Sequence, residues 1–475
     1  MRPLIVLGCT SDAGKSLVAA ALCRWFARQG VQVAPFKAQN MSNNARVVPG
    51  PDGGAGEIGV AQWLQARAAG VEPDVRMNPV LLKPEADTQS QVIVRGRVDQ
   101  HLTRMHWEDR HDALWAPMCD SLGDLQREFD LVVIEGAGSP AEINLRDQVN
   151  NRITEHADAR ALLVSDIDRG GSFAHLHGTW SLVPEATQSR LEGFVLNKFR
   201  GDAALLAPGP EKLTAMTGMR HLATLPLLEH DLPREEGAND DGGRIAAEPD
   251  APRVVLPRFP YGSNLDEFRL LNGAARVEWT ASSQAFERLN PVRDLIVLPG
   301  SKHVAADLQW MRDHGLDQAI DRAHAAGVRI VGICGGAMMM GQHIVDEFGV
   351  EGGRPSIVDG LGLLPYATVM GSEKLVRRRQ LVLDEMGGRW CALNGRRVDG
   401  YEIRFGAMTD GGAERAAWTD GNVFASLCHG LFEDRSFARE VLGVDVHDPL
   451  EETFELLADA VEEHFDTDWL ATFVP

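Results

Sequence analysis

Cysteine is scarce and scattered in this 475-residue sequence. The six residues at positions 9, 23, 119, 334, 391 and 428 include no Cys-x-x-Cys pair, which excludes a disulfide framework or a zinc pattern and leaves reduced thiols. Long hydrophobic runs are missing as well: stretches such as 131–134 and 295–298 are strand length, so no membrane span is expected. Met1-Arg2-Pro3 leads straight into Leu4-Ile5-Val6-Leu7, without the long apolar stretch and small-residue cleavage site of a signal peptide, which points to the cytoplasm. Positive charge is also short. Lys and Arg number 47 against 68 Asp and Glu, a formal charge of −21 that argues against nucleic-acid binding and favours small-molecule chemistry.

What is present is enough apolar material, 44% of the residues, to build substantial cores in two or three domains. Residues 4–7 read as a strand, 17–28 as a helix ended by Gly30, and 31–36 as a second strand. Apolar runs at 131–134, 161–164 and 193–196 alternate with helix-length segments, the pattern of a parallel sheet covered on both faces. Ligands bind beyond the C-terminal ends of such strands, so Lys37, Glu135, Asp166 and Asn197 are expected to converge there. Residues 229–252 turn acidic and rich in Gly, Pro and Asp and read as a linker between a first domain, 1–228, and a second α/β domain, 253–448. The tail, 449–475, has helical apolar spacing (Phe454, Leu457, Ala460, Val461, Phe465) and is expected to pack on the second domain.

Two motifs carry chemistry. Gly8-Cys9-Thr10-Ser11-Asp12-Ala13-Gly14-Lys15-Ser16 lies between strand and helix and reads as a phosphate loop for ATP, its glycines one residue further apart than the commonest spacing. Backbone N–H groups from Gly8 through Asp12, Ala13 and Gly14 would hold phosphate, Lys15 would neutralise it, and Ser16 with Glu135 would bind magnesium. Asn197, after another strand, is a candidate reader of the adenine edge. Far downstream, Gly332-Ile333-Cys334-Gly335-Gly336 follows an apolar strand and reads as a nucleophile elbow, with His429 as the candidate base and the 298–301 turn as a candidate source of oxyanion N–H groups. A thiol nucleophile and an ATP site in one chain suit glutamine-dependent amidation.

The sequence resembles the cobyric acid synthase family over nearly its whole length. Beyond the two motifs, the resemblance rests on Pro35-Phe36-Lys37-Ala38-Gln39-Asn40-Met41-Ser42-Asn43-Asn44, Met77-Asn78-Pro79-Val80-Leu81-Leu82-Lys83-Pro84-Glu85, Ile134-Glu135-Gly136-Ala137-Gly138-Ser139-Pro140-Ala141-Glu142-Ile143-Asn144-Leu145, Asp166-Ile167-Asp168-Arg169-Gly170-Gly171 and Gly400-Tyr401-Glu402-Ile403. It implies a dethiobiotin-synthetase-like phosphate-loop domain followed by a class I glutamine amidotransferase domain. The activity implied is ATP- and glutamine-dependent amidation of four carboxylates of adenosylcobyrinic acid a,c-diamide. Cobalt would arrive within the corrinoid, so no intrinsic cobalt site is expected. Leu431 stands where many class I amidotransferases carry the Glu that completes their triad, which leaves Glu433 as the candidate partner of His429. Arg404 stands where relatives are expected to have His, and no role follows for it. Two alternatives stay open: cobyrinic acid a,c-diamide synthase, and a phosphate-loop ATPase switch without amidation. The oligomeric state, the amidation order, the corrin-binding residues and the ammonia route are not legible.

Overall fold

The computed structural model of the chain describes residues 1–50, 53–86, 89–144, 149–233, 247–412 and 414–475. Six strands form an all-parallel sheet in the N-terminal half: Leu4–Gly8 (β1), Val33–Phe36 (β2), Leu131–Glu135 (β3), Arg160–Asp166 (β4), Leu191–Phe199 (β5) and Arg220–Pro226 (β6), in the spatial order β6-β5-β4-β1-β3-β2. Such strands are apolar throughout because both faces are covered. In β1 the alternation is explicit. Leu4 and Val6 enter the core beneath the helix Lys15–Arg28 (α1), whereas Ile5 and Leu7 enter the core on the opposite face.

A second six-stranded sheet, built from Arg253–Pro257 (β7), Arg276–Thr280 (β8), Leu295–Leu298 (β9), Arg329–Ile333 (β10), Ala417–Asp420 (β11) and Val423–Ser426 (β12), runs in the order β8-β7-β9-β10-β12-β11 and is parallel except for β11. A long antiparallel ribbon, Ala367–Leu383 with Arg396–Thr409, leaves this domain and carries Tyr401, Glu402 and Ile403. The first domain answers with an antiparallel hairpin, Ala45–Pro49 and Ala55–Gly59. Ile403 packs on Ala45, Leu81 and Ile93, so the two domains share an apolar seam. The acidic run at 235–243, the centre of the expected linker, lies outside the described residues.

The tail corrects an expectation. Its helix, Leu450–His464, buries Phe454, Leu457 and Val461 in the same core as Val18, Leu22 and Phe26 of α1 and packs on the first domain, not the second. Ion pairs flank this apolar contact. Glu455 lies 2.5 Å from Arg24 and Asp459 2.7 Å from Arg28, while the Trp25 indole N–H donates to Glu462 at 2.5 Å. Apolar spacing told which face of the tail is buried, and the apolar face of α1 is what it is buried against.

Phe454→Ala is expected to cost about 3–5 kcal/mol of local stability. Hydrogen exchange should speed up in α1 and remain unchanged in β10. The reverse pattern would contradict this docking.

Candidate active site

The turn after β1 is shaped by one close approach. Gly14 has φ 98°, and a Cβ there would lie 2.0 Å from the Asn197 amide nitrogen, so only glycine fits. That nitrogen donates to the Ala13 carbonyl at 3.0 Å, which ties the end of β5 to the loop. The buried Asn197 Oδ1 has no hydrogen-bond partner among the described residues. Asp12 (φ 59°) is engaged by Arg169 at 3.0 Å, and its carbonyl accepts from Lys198 at 2.7 Å. Lys15 is buried and its ammonium donates to the Thr10 carbonyl at 3.3 Å, so the side chain folds back over the loop past Gly8.

Glu135, at the end of β3, is the centre of this site. Its Oε1 accepts from the Ser16 hydroxyl at 2.8 Å and from the Lys37 ammonium at 2.9 Å. Its Oε2 accepts from Gln65 at 2.5 Å and from Gln62 at 3.4 Å. Burial alone would raise its pKa, but Lys37, Gln65 and Ser16 outweigh that and hold the carboxyl below the ordinary range. Gln62 and Gln65 went unrecognised in the sequence. Their signal was two amides three apart on one face of the helix Val60–Ala68. Among the described residues, no group of three or more His, Cys, Asp or Glu is arranged to hold a metal ion. The Ser16 hydroxyl and the Glu135 carboxylate are nonetheless oxygen donors of the kind magnesium takes together with phosphate and water.

In the second domain, β10 ends in Cys334, which has φ 48° and ψ −109° and begins the helix Gly335–Met339. A non-glycine residue in such a conformation costs on the order of 1–3 kcal/mol and persists only where its surroundings fix it. Here they do. A Cβ on Gly336 would lie 2.1 Å from the Leu298 carbonyl and one on Gly335 2.5 Å from the Ser301 nitrogen, so the 298–301 turn packs directly against the elbow. His429 is buried, and Cys334 is among the groups that act on its ring. Cys428, by contrast, is a core thiol whose pKa burial pushes up to about 12.

The third partner of His429 is Glu267, a residue the sequence reading missed. Its Oε1 lies 2.7 Å from His429 Nδ1, and its Oε2 accepts from the Gly430 backbone N–H at 2.8 Å. Glu433, the expected candidate, instead pairs with Arg46 of the first domain. The reason is topological. Glu267 comes from the short helical segment Leu265–Leu271, more than 160 positions upstream, and the chain fold rather than local spacing brings it beneath the imidazole. Its only local signal was an acidic pair, Asp266-Glu267, between apolar neighbours. Arg404 contacts Glu402 at 2.8 Å and the Gly406 carbonyl at 2.6 Å, a structural place within the ribbon.

Two family models match successive parts of the chain. Residues 4–238 match the CobQ/CobB/MinD/ParA nucleotide binding domain, and residues 253–437 match the CobB/CobQ-like glutamine amidotransferase domain. A cobyric acid synthase of Paracidovorax citrulli (strain AAC00-1) is 50% identical over 99% of this chain and 98% of its own. One from Variovorax paradoxus (strain S110) is 50% identical over 98% of each. A solved structure described as a glutamine amidotransferase aligns with 43% of this chain and 98% of its own at 16% identity, with a TM-score of 0.28.

Burial alone would lower the His429 pKa, but Cys334 and Glu267 raise it from 6.5 to about 10. A folded value above the unfolded one means that the charged ring stabilises the fold fully below about pH 6.5 and loses that contribution as pH climbs through about 10. Thermal unfolding of the wild type and His429→Gln should therefore differ most near pH 6 and converge toward pH 10. A gap independent of pH would contradict the assignment.

Proposed function

The chain belongs to the cobyric acid synthase family, and from that premise we propose that it uses ATP and glutamine to amidate four peripheral carboxylates of adenosylcobyrinic acid a,c-diamide, yielding adenosylcobyric acid. The observation that carries the glutamine half is Cys334 on its strained elbow together with a buried His429 that Glu267 holds at 2.7 Å. The Cys334 sulfur attacks the glutamine carboxamide, and His429 delivers a proton to the departing nitrogen. Ammonia leaves and a glutamyl thioester remains. Water, deprotonated by His429, then cleaves the thioester to glutamate and restores the thiol. Glu267 keeps the imidazole oriented and favours its charged form. Backbone N–H groups near the 298–301 turn are the candidates for the oxyanion.

In the first domain a substrate carboxylate attacks the γ-phosphorus of ATP, ADP departs, and the acyl phosphate then loses phosphate to ammonia. Lys15 offsets charge on the transferring phosphoryl group, and the loop N–H groups ending at Gly14 cradle phosphate. Asn197 Oδ1, buried with no partner among the described residues, is an acceptor suited to the adenine amino group. Ser16 and Glu135 are the residues that would hold magnesium, which supplies further neutralisation of phosphate charge when bound. Lys37 and Gln65 hold Glu135 ionised and in place.

Mass spectrometry of adenosylcobyrinic acid a,c-diamide incubated with protein, ATP, magnesium and amide-labelled glutamine tests the reading. Four labelled, ATP-dependent amide additions are expected. No addition by folded protein would refute the substrate assignment, and two additions to cobyrinic acid itself would select the a,c-diamide synthase alternative. Cys334→Ala should abolish glutamine hydrolysis while amidation from ammonium chloride persists. Glu267→Gln should lower glutaminase kcat by about 10²–10⁴-fold.

A further inference from the structure

Arg46 belongs to the first domain, on the hairpin strand Ala45–Pro49, yet its side chain is buried beside the glutaminase residues of the second. One guanidinium nitrogen donates to the Tyr401 hydroxyl at 3.0 Å and to Glu433, and the other donates to Asp266. The plane of the group packs over Trp63 at 4.9 Å and over the Tyr401 ring at 5.4 Å. Each of its polar partners leads toward the triad. Asp266 precedes Glu267, whose two oxygens hold His429 and the Gly430 N–H. Tyr401 stacks on the His429 ring, with centroids 5.3 Å apart and planes 17° from parallel, and the two residues exchange backbone hydrogen bonds at 3.2 and 2.8 Å.

The neighbouring hairpin backbone reinforces the same contact. Asn264 donates to the Ala45 carbonyl at 2.5 Å and to the Tyr401 hydroxyl at 3.1 Å, and the Leu265 N–H donates to Asn44 Oδ1 at 3.2 Å. The segment that presents Glu267 is therefore gripped from the other domain over Asn264, Leu265 and Asp266. Charge makes Arg46 hard to dispense with. Without it, the buried Asp266 and the half-buried Glu433 would face each other beside Glu267 with no cation between them, and such groups rearrange rather than stay in place.

We propose that Arg46 is a positioning residue for glutamine hydrolysis: it ties Asp266, Glu433 and Tyr401 into one cluster that sets Glu267 and His429, so the glutaminase centre is fully assembled only when the amidating domain is docked. This rests on the reading that Cys334, His429 and Glu267 hydrolyse glutamine. Arg46 lies in the domain that consumes ammonia and acts on the centre that releases it, which would suppress ammonia loss from a detached glutaminase domain.

The test uses the full chain with Arg46→Met, Arg46→Lys and, from the opposite side of the contact, Asp266→Asn. Glutamate release and ATP-dependent amidation are measured with glutamine and, separately, with ammonium chloride. Arg46→Met and Asp266→Asn are expected to lower glutaminase kcat by about 10–100-fold, with little change in KM and with ammonia-supported amidation within about twofold of wild type. Arg46→Lys should recover part of the loss, because it keeps the charge but not the fork. Unchanged glutaminase kcat in both Arg46→Met and Asp266→Asn would overturn the proposal, as would a parallel loss of ammonia-supported amidation, which marks a general structural role. Absence of glutamine hydrolysis by the wild-type protein would instead overturn the underlying functional reading.

Discussion

A carboxylate taken out of water must meet a cation or several hydrogen-bond donors, and this requirement organises both halves of the molecule. Glu135 is met by Lys37 and by Ser16 and Gln65, which fixes the phosphate-loop helix to the end of a neighbouring strand. Glu57 is met by Lys83 of its own domain and by Lys374 of the other, each at 2.5 Å, and these cations pull its pKa down to about 2 against the opposing effect of burial. Glu267 is met by His429. Asp266 is met by Arg46. Two of these pairs cross the domain boundary, so the boundary is specified by charge as well as by the apolar seam at Ile403.

That arrangement suits the proposed reaction, in which ammonia passes from one domain to the other. The contacts that hold the domains together are also contacts of residues flanking the thiol: Ile403, whose carbonyl accepts from Cys334 Sγ at 3.8 Å, has its side chain in the seam, and Tyr401 both stacks on His429 and bonds Arg46. Geometry at the boundary and geometry at the glutaminase centre are therefore one property. The elbow is closely packed as well, since the 298–301 turn leaves no room for a side chain at Gly335 or Gly336.

Much of the site was legible where its residues are neighbours in sequence. Gly14-Lys15-Ser16 between strand and helix, Glu135 at a strand end and Cys334 before two glycines are local patterns with local physical causes. The carboxylate partner of His429 was not legible, because Glu267 reaches it through the packing of a distant segment, and the nearer Glu433 pairs with Arg46 of the other domain. Gln62 and Gln65 were hidden for a similar reason: amides on a helix look solvated until the strand that carries Glu135 is laid against them.

The tail shows the same division between pattern and place. Its apolar stripe fixed which residues would be buried, but any apolar surface satisfies a stripe, and only the fold shows that the α1 face is the one used. By itself, then, the sequence determined the two α/β domains and the glycine turns that carry the candidate phosphate loop and the candidate nucleophile, because hydrophobic period and glycine placement act over a few residues. The tertiary structure alone decided the docking of the tail, because an apolar stripe names no partner, and it decided the partner of the imidazole and the reach of Arg46 into the second domain, because compensation of buried charge is a contest among groups that only folding brings within a few ångströms of one another.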